Sequence, residues 1–290
     1  NFFCCAIGTC AESMIWPDDL PPCFHVLLSP LPKPSQCCGR VVLLHGWNQC
    51  HRSWLRTATI LRDELSLEVL LLDFYNHGDS PTLIERNQHC SEMLCRQVRA
   101  LILLHGWENS PLTIGATSMG GSVALHYWTQ WPANVAKLVL VGAAGLDESL
   151  WVPSKLAGIV AKAAFGPPQK IDVGVDSSSN LVPLRSLAKA RKASLLSAIL
   201  ARLSFITTTP SYQVPADIVE RLRDARASVT LVTAGLDVLH RPHLDVWRKI
   251  PGVKIFHKPF WDHSTLCVSI AALELWRWPE IWCDTPHSKL

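Results

Sequence analysis

Leu112-Thr113-Ile114-Gly115-Ala116-Thr117-Ser118-Met119-Gly120-Gly121 decides how this chain folds. A short apolar run leads into a cluster of small residues around a serine, the pattern of a buried strand that turns abruptly into a helix with Ser118 at the corner. Ala116 and Gly120, two before and two after the serine, are small enough for a tight, strained turn that holds the hydroxyl clear of the sheet. Gly121 keeps the next layer of packing close. Serine in a glycine-rich turn is commonly structural, so the stretch gains meaning only from what other strand ends bring to it.

Upstream, Arg40-Val41-Val42-Leu43-Leu44 reads as a buried strand, and His45-Gly46-Trp47 follows it. A loop of that kind after a central strand can aim a backbone N–H at a developing oxyanion. Downstream, Val229-Thr230-Leu231-Val232-Thr233-Ala234-Gly235 is another buried strand, with Asp237 two residues beyond it. Val253-Lys254-Ile255-Phe256-His257-Lys258 reads as a last strand, and Trp261-Asp262-His263-Ser264 lies after it at the mouth of a helix.

The order nucleophile, acid, histidine, each at the end of a different strand, resembles the α/β-hydrolase superfamily, in particular its serine-nucleophile members with a helical cap. The motifs cover roughly 40–145 and 228–275, and the Asp73-Phe74-Tyr75-Asn76-His77-Gly78-Asp79-Ser80 segment looks like the family's next strand end and its Gly-x-Ser loop. The resemblance implies a mostly parallel sheet flanked by helices, with a core at 1–145 and 216–290 and a helical cap insertion at 146–215. It implies Ser118, Asp237 and His263 as the catalytic groups, with the backbone N–H groups of Trp47 and Met119 as the oxyanion hole. The chain departs from the pattern at Ala116, where Gly is usual, at Thr117, where many relatives carry a larger residue, and at Asp262, where Gly is frequent. None of these removes a reacting group.

The chemistry follows from what each group lacks. A serine hydroxyl is a poor nucleophile at neutral pH and needs a base; imidazole is suited to that task, and a carboxylate would hold its tautomer and stabilise the imidazolium. Each residue also has a plainer reading. Asp237 could be a turn former or a helix N-cap, and His263 a helix cap, although Asp262 or Ser264 would fill that role more readily. Asp245 is the competing acid, but Leu244-Asp245-Val246-Trp247-Arg248 reads as a helix with Asp245 on a solvated face. His45 is expected to be structural, its ring hydrogen-bonded behind the loop. His105-Gly106-Trp107 repeats the letters of 45–47 but closes the apolar helix around 98–104, with Gly106 as its C-terminal cap.

Strands are expected near 40–45, 68–73, 111–116, 136–142, 228–234 and 252–258, with an edge strand within 23–31. Helices are expected near 52–65, 90–104, 119–131, 241–249 and 264–277. This alternation predicts a mostly parallel sheet covered on both faces. Between 144 and 215 the strand rhythm stops and the residues become rich in Ala, Leu, Lys and Ser, with the clearest helix at 186–204; an insertion there would lie over Ser118. Its lysines and arginines outnumber its acids, which fits a solvated helix face, or attraction of an acidic substrate or an anionic membrane surface.

At 290 residues, with 48% apolar and 18% charged residues, the chain has the composition of one globular α/β domain with an insertion. No uninterrupted apolar run reaches about eighteen residues, so no membrane span is expected. A net charge of +3 without an aromatic-interleaved basic stripe argues against nucleic acid. Of the 11 cysteines, seven fall in the first fifty residues, with no Cys-x-x-Cys pair. Free thiols in a reducing, intracellular compartment are the expectation, with one or two N-terminal disulfides as the alternative, and with no metal and no cofactor. The function that the resemblance implies is that of a serine hydrolase acting on an ester or related acyl bond of a small or lipid-like substrate. Carbon–carbon bond hydrolysis, acyl transfer and a ligand receptor that keeps the triad are the alternatives; oligomeric state is open.

Overall fold

Among the described residues, seven strands hydrogen-bond into one sheet in the order β1-β3-β2-β4-β5-β6-β7. The computed structural model describes residues 16–17, 19–30, 39–83, 90–144, 214–237, 242, 244–263, 266–267 and 279–282. Strand β1 (His25–Leu28) pairs antiparallel with β3 (Glu68–Leu72) at one edge. The other strands, β2 (Arg40–Leu44), β4 (Leu112–Thr117), β5 (Val135–Val141), β6 (Ser228–Ala234) and β7 (Lys254–Lys258), continue the sheet in parallel.

The central strands are apolar on both sides because both faces are covered. Val42, Leu44, Leu70, Leu72, Ile114, Ala116, Leu138, Leu140, Val229 and Leu231 face one core layer. Their neighbours Val41, Leu43, Val69, Leu71, Val139, Val141, Val232 and Ala234 face the other, as a period of two requires. Helices α2 (Ser91–Leu104) and α3 (Met119–Gln130) cover the first layer, and α1 (Leu55–Leu65) covers the second. In α2 the buried positions Leu94, Cys95, Val98, Leu101 and Ile102 recur at helical spacing. Each such side chain removed from water contributes on the order of 1.5–3 kcal/mol.

Helix α2 ends where Gly106 takes a φ of +65° and Trp107 N–H returns to Ile102 O, the cap expected of that glycine. Helix α4 (Ile218–Asp224) and the short α6 (Pro279–Trp282) were not expected from sequence. Four-residue α6 matters more than its length implies. Trp282 is fully buried, packs beside Gly115, and its carbonyl accepts the Thr113 hydroxyl at 3.0 Å. Of the span 241–249 expected to be helical, Leu244–Trp247 forms the short α5, while 242 is outside any helix and 248–249 form a turn. The cap expected at 146–215 lies outside the described residues except for its last two positions, as does most of 264–277.

Strand order places the site. From β2 the chain crosses outward to β3, whereas β4, on the other side of β2, leads away towards β5, β6 and β7. The loops leaving β2 and β4 therefore diverge at a switch point, where α/β sheets open a crevice at the carboxyl ends of their strands.

Candidate functional site

Ser118 sits between β4 and α3 with φ 47° and ψ −119°, a left-handed conformation that a side-chain-bearing residue adopts at a cost of about 1–3 kcal/mol. The turn is held on both sides. Ser118 N–H donates to Val141 O, and Ser118 O accepts from Gly121 N–H and Ala144 N–H. A methyl group on Gly121 would stand 2.2 Å from Ala143 Cβ, and one on Gly120 would stand 2.7 Å from the carbonyl oxygens of Leu44 and His45. Two consecutive glycines thus let α3 begin directly against the ends of β2 and β5.

Asp237 and His263 arrive from the next strand ends. The turns carrying them are stitched together: Gly235 N–H donates to Lys258 O and Leu236 N–H to Trp261 O, both at 2.9 Å. Asp237 is fully buried and its Oδ2 lies 2.7 Å from His263 Nδ1. His263 Nε2 lies 2.9 Å from Ser118 Oγ. With the Asp237 carboxylate able only to accept, Nδ1 carries the proton and Nε2 is left to accept from the serine hydroxyl. The three side chains named from sequence, 145 positions apart at the extremes, thus form one hydrogen-bonded line. Asp245 is elsewhere: its side chain is 93% exposed and takes a 2.7 Å ion pair from Arg248.

The loop after β2 lies against the nucleophile. A methyl on Gly46 would come within 3.0 Å of Ser118 Cβ, so the backbone that continues into Trp47 passes beside the serine. Met119, the other residue expected to offer an N–H, opens α3, where the first N–H groups have no intrahelical acceptor and the helix dipole is positive. His45 is fully buried behind this loop. Its Nδ1 donates to Gly46 O at 2.8 Å and its Nε2 accepts Phe74 N–H at 3.0 Å. Burial, and then the neighbouring His77, push its pKa down to about 3, so both bonds are those of a neutral ring. Trp54 fixes the loop's far end by donating its indole N–H to Leu44 O.

Three contributors escaped the sequence reading. Gln49 Oε1 accepts Gly46 N–H at 2.8 Å and lies 3.3 Å from Thr117 Oγ1, joining the loop to the strand that carries the serine. His51 donates both its backbone N–H and Nδ1 to Asp73 Oδ1, while Asp79 N–H donates to Oδ2. Burial pushes the Asp73 carboxyl up, but the His51 bonds and the Asp79 N–H outweigh it and leave the group below the usual carboxylate range. Cys50, His51 and Asp73 are, among the described residues, a cluster of metal-type donors within 4.8 Å. The Asp73 oxygens already take three N–H bonds there, so the cluster acts as a lock on the loop. Cys267 is the third, with Sγ 3.6 Å from His263 Nε2. Gln49 carries no motif that marks it, and Cys267 is one cysteine among eleven.

Comparison with known proteins agrees with this architecture. The sequence profile described as alpha/beta hydrolase fold matches residues 39–200. Among solved structures, a carboxylesterase of the thaumarchaeon Nitrososphaera gargenis is 16% identical, with a TM-score of 0.60 over 84% of this chain and 88% of that one. A probable hydrolytic enzyme from Pseudomonas aeruginosa is 19% identical, with a TM-score of 0.58 over 84% and 85%. An esterase from Thermogutta terrifontis is 15% identical, with a TM-score of 0.56 over 84% and 87%. At these identities the likeness is one of fold. No curated protein sequence matches the chain. Among the described residues no helix is long and apolar enough to cross a membrane. By the profile match over more than half its length, and by the sheet that bears it out, the chain belongs to the alpha/beta hydrolase fold family.

Proposed function

We propose that this chain is a serine hydrolase that cleaves an ester or related acyl bond of a small or lipid-like substrate. The observation that carries the reading is the buried line from Asp237 through His263 to Ser118, with contacts of 2.7 and 2.9 Å and the serine in a strained turn. Structural neighbours described as esterases and carboxylesterases support the same reaction class.

Ser118 Oγ attacks the acyl carbon as His263 Nε2 takes its proton, and the Asp237 carboxylate stabilises the imidazolium without taking the proton itself. The N–H groups of Trp47 and Met119 bind the oxyanion; loss of one such donor costs about 2.7–4 kcal/mol in related chemistry. His263 returns the proton to the departing alkoxide. Water, activated by the same nitrogen, then splits the acyl-serine and restores the hydroxyl. No cofactor or metal enters this cycle.

A fluorophosphonate probe tests the proposal. The purified protein should be labelled on Ser118, and Ser118→Ala should not react. Failure to label, or equal labelling of Ser118→Ala, overturns the reading. A series of p-nitrophenyl esters of increasing chain length then separates small acyl groups from lipid-like ones.

A further inference from the structure

A cavity of about 410 Å³ opens between the loop that leads from α2 into β4 and the turn that leads from α3 into β5. It therefore lies at the amino ends of those strands, whereas Ser118 stands at a carboxyl end. Helix α3, with 12 residues, separates the two by about 18 Å. The charged residues lining the cavity are Arg99 and Glu108. Among the described residues neither has an ion-pair partner, and Glu108 Oε2 is cut off from water without a hydrogen bond. We propose that this cavity binds a free α-amino acid with an apolar side chain, its ammonium against Glu108, its carboxylate against Arg99 and its side chain against Trp131.

The lining selects the ligand's charge. A carboxylate with one oxygen desolvated and unbonded is stabilised by a cation that enters beside it. A guanidinium carries five donors, and Arg99 spends one: its Nη1 donates to the Tyr127 hydroxyl at 3.1 Å while the group lies over the Trp131 ring at 4.9 Å. A lone cation would meet Arg99 and a lone anion would meet Glu108, so a ligand with a single charge is opposed by the residue of like sign. A zwitterion meets both. Behind these two residues the polar groups are already bonded within the protein. Burial pushes the Tyr127 phenol up to about 12, so it stays a donor, to Asn134 Oδ1 at 2.6 Å. Asn134, 5% exposed, donates in turn to Trp107 O at 3.0 Å and Ser110 O at 2.6 Å. Trp131, Pro132 and Ala133 supply the apolar wall, and the volume lies within the range of small-molecule sites.

Saturation-transfer NMR and calorimetry on the full chain test the site, with L-phenylalanine, L-leucine and L-methionine as probes. At least one should bind saturably. Its N-acetyl derivative lacks the cation and its amide lacks the anion; each should bind about tenfold more weakly or worse, as expected for one lost charged hydrogen bond. Glu108→Gln keeps the side chain's size and should weaken the parent amino acid about tenfold while leaving the N-acetyl derivative unchanged. Ala133→Phe, at an exposed position on the wall, should block binding without touching either charge. Ser118→Ala should bind as the wild type does. The site is overturned if none of the three probes binds saturably, if parent and derivatives bind equally, or if Glu108→Gln or Ala133→Phe retains full affinity. Loss of binding in Ser118→Ala also overturns it, by moving the ligand to the proposed active site. If fluorophosphonate labels no protein, the hydrolase reading fails while these titrations still judge the cavity.

Discussion

Replacing Asp237 with asparagine tests the base and its orientation together. The carboxylate is fully buried, and its Oδ2 takes the His263 Nδ1 proton at 2.7 Å. Asparagine has nearly the same shape but offers an NH₂ group on one side. If that group faces Nδ1, the imidazole proton moves to Nε2, the atom 2.9 Å from Ser118 Oγ, where it can no longer accept. If the carbonyl faces Nδ1, the tautomer survives but the anion that balances the imidazolium is gone. The corresponding change in another serine hydrolase lowers kcat about 10⁴-fold, and at about 1.36 kcal/mol per tenfold this corresponds to about 5 kcal/mol of transition-state stabilisation. The assay is the labelling rate of Ser118 by fluorophosphonate, or the turnover of a p-nitrophenyl ester, in protein shown by circular dichroism to be folded. Asp245→Asn is the control, because that carboxylate is 93% exposed and pairs, among the described residues, with a surface arginine; it should stay within about twofold of the wild type. Asp237→Asn retaining more than about a tenth of wild-type activity, or Asp245→Asn losing as much as Asp237→Asn, would refute the reasoning.

Gln49→Ala removes the acceptor of Gly46 N–H and frees the loop beside the serine. It should lower kcat by about tenfold or more with little change in KM, consistent with about 1–3 kcal/mol for a buried donor left unpaired, as steady-state kinetics would show. Gly121→Ala puts a methyl 2.2 Å from Ala143 Cβ, where neither backbone can yield cheaply; it should cost about 1–3 kcal/mol in thermal or urea unfolding. His45 is held to a pKa of about 3 in the folded state against 6.5 for the ordinary group. Between these values the unfolded chain binds the extra proton, so its contribution to stability is present above pH 6.5 and is lost on acidification, by up to about 1.4 kcal/mol per pH unit. Urea unfolding at pH 7 and pH 5 should show that slope, and His45→Asn should flatten it.

How much of this was legible depended on whether a feature is written in local pattern. The five central strands announce themselves as short apolar runs ended by glycine or polar residues, and their order along the chain, with the edge strand β7 after them, fixes which ends carry Ser118, Asp237 and His263. Gly106 as a helix terminator was legible for the same reason, since only a left-handed position calls for it there. Long-range partners were not. Trp282 packs beside Gly115 from the far end of the chain, and Gln49 reaches Gly46 and Thr117 through a side chain with no preferred role. The same holds for Asp73: its segment was recognisable, but its bond to His51 is set by how the loop after β2 folds back. Helix α4 was missed because Ile218–Asp224 carries three charged residues in its last four and buries only Ile218 and Leu222, too few to set a period.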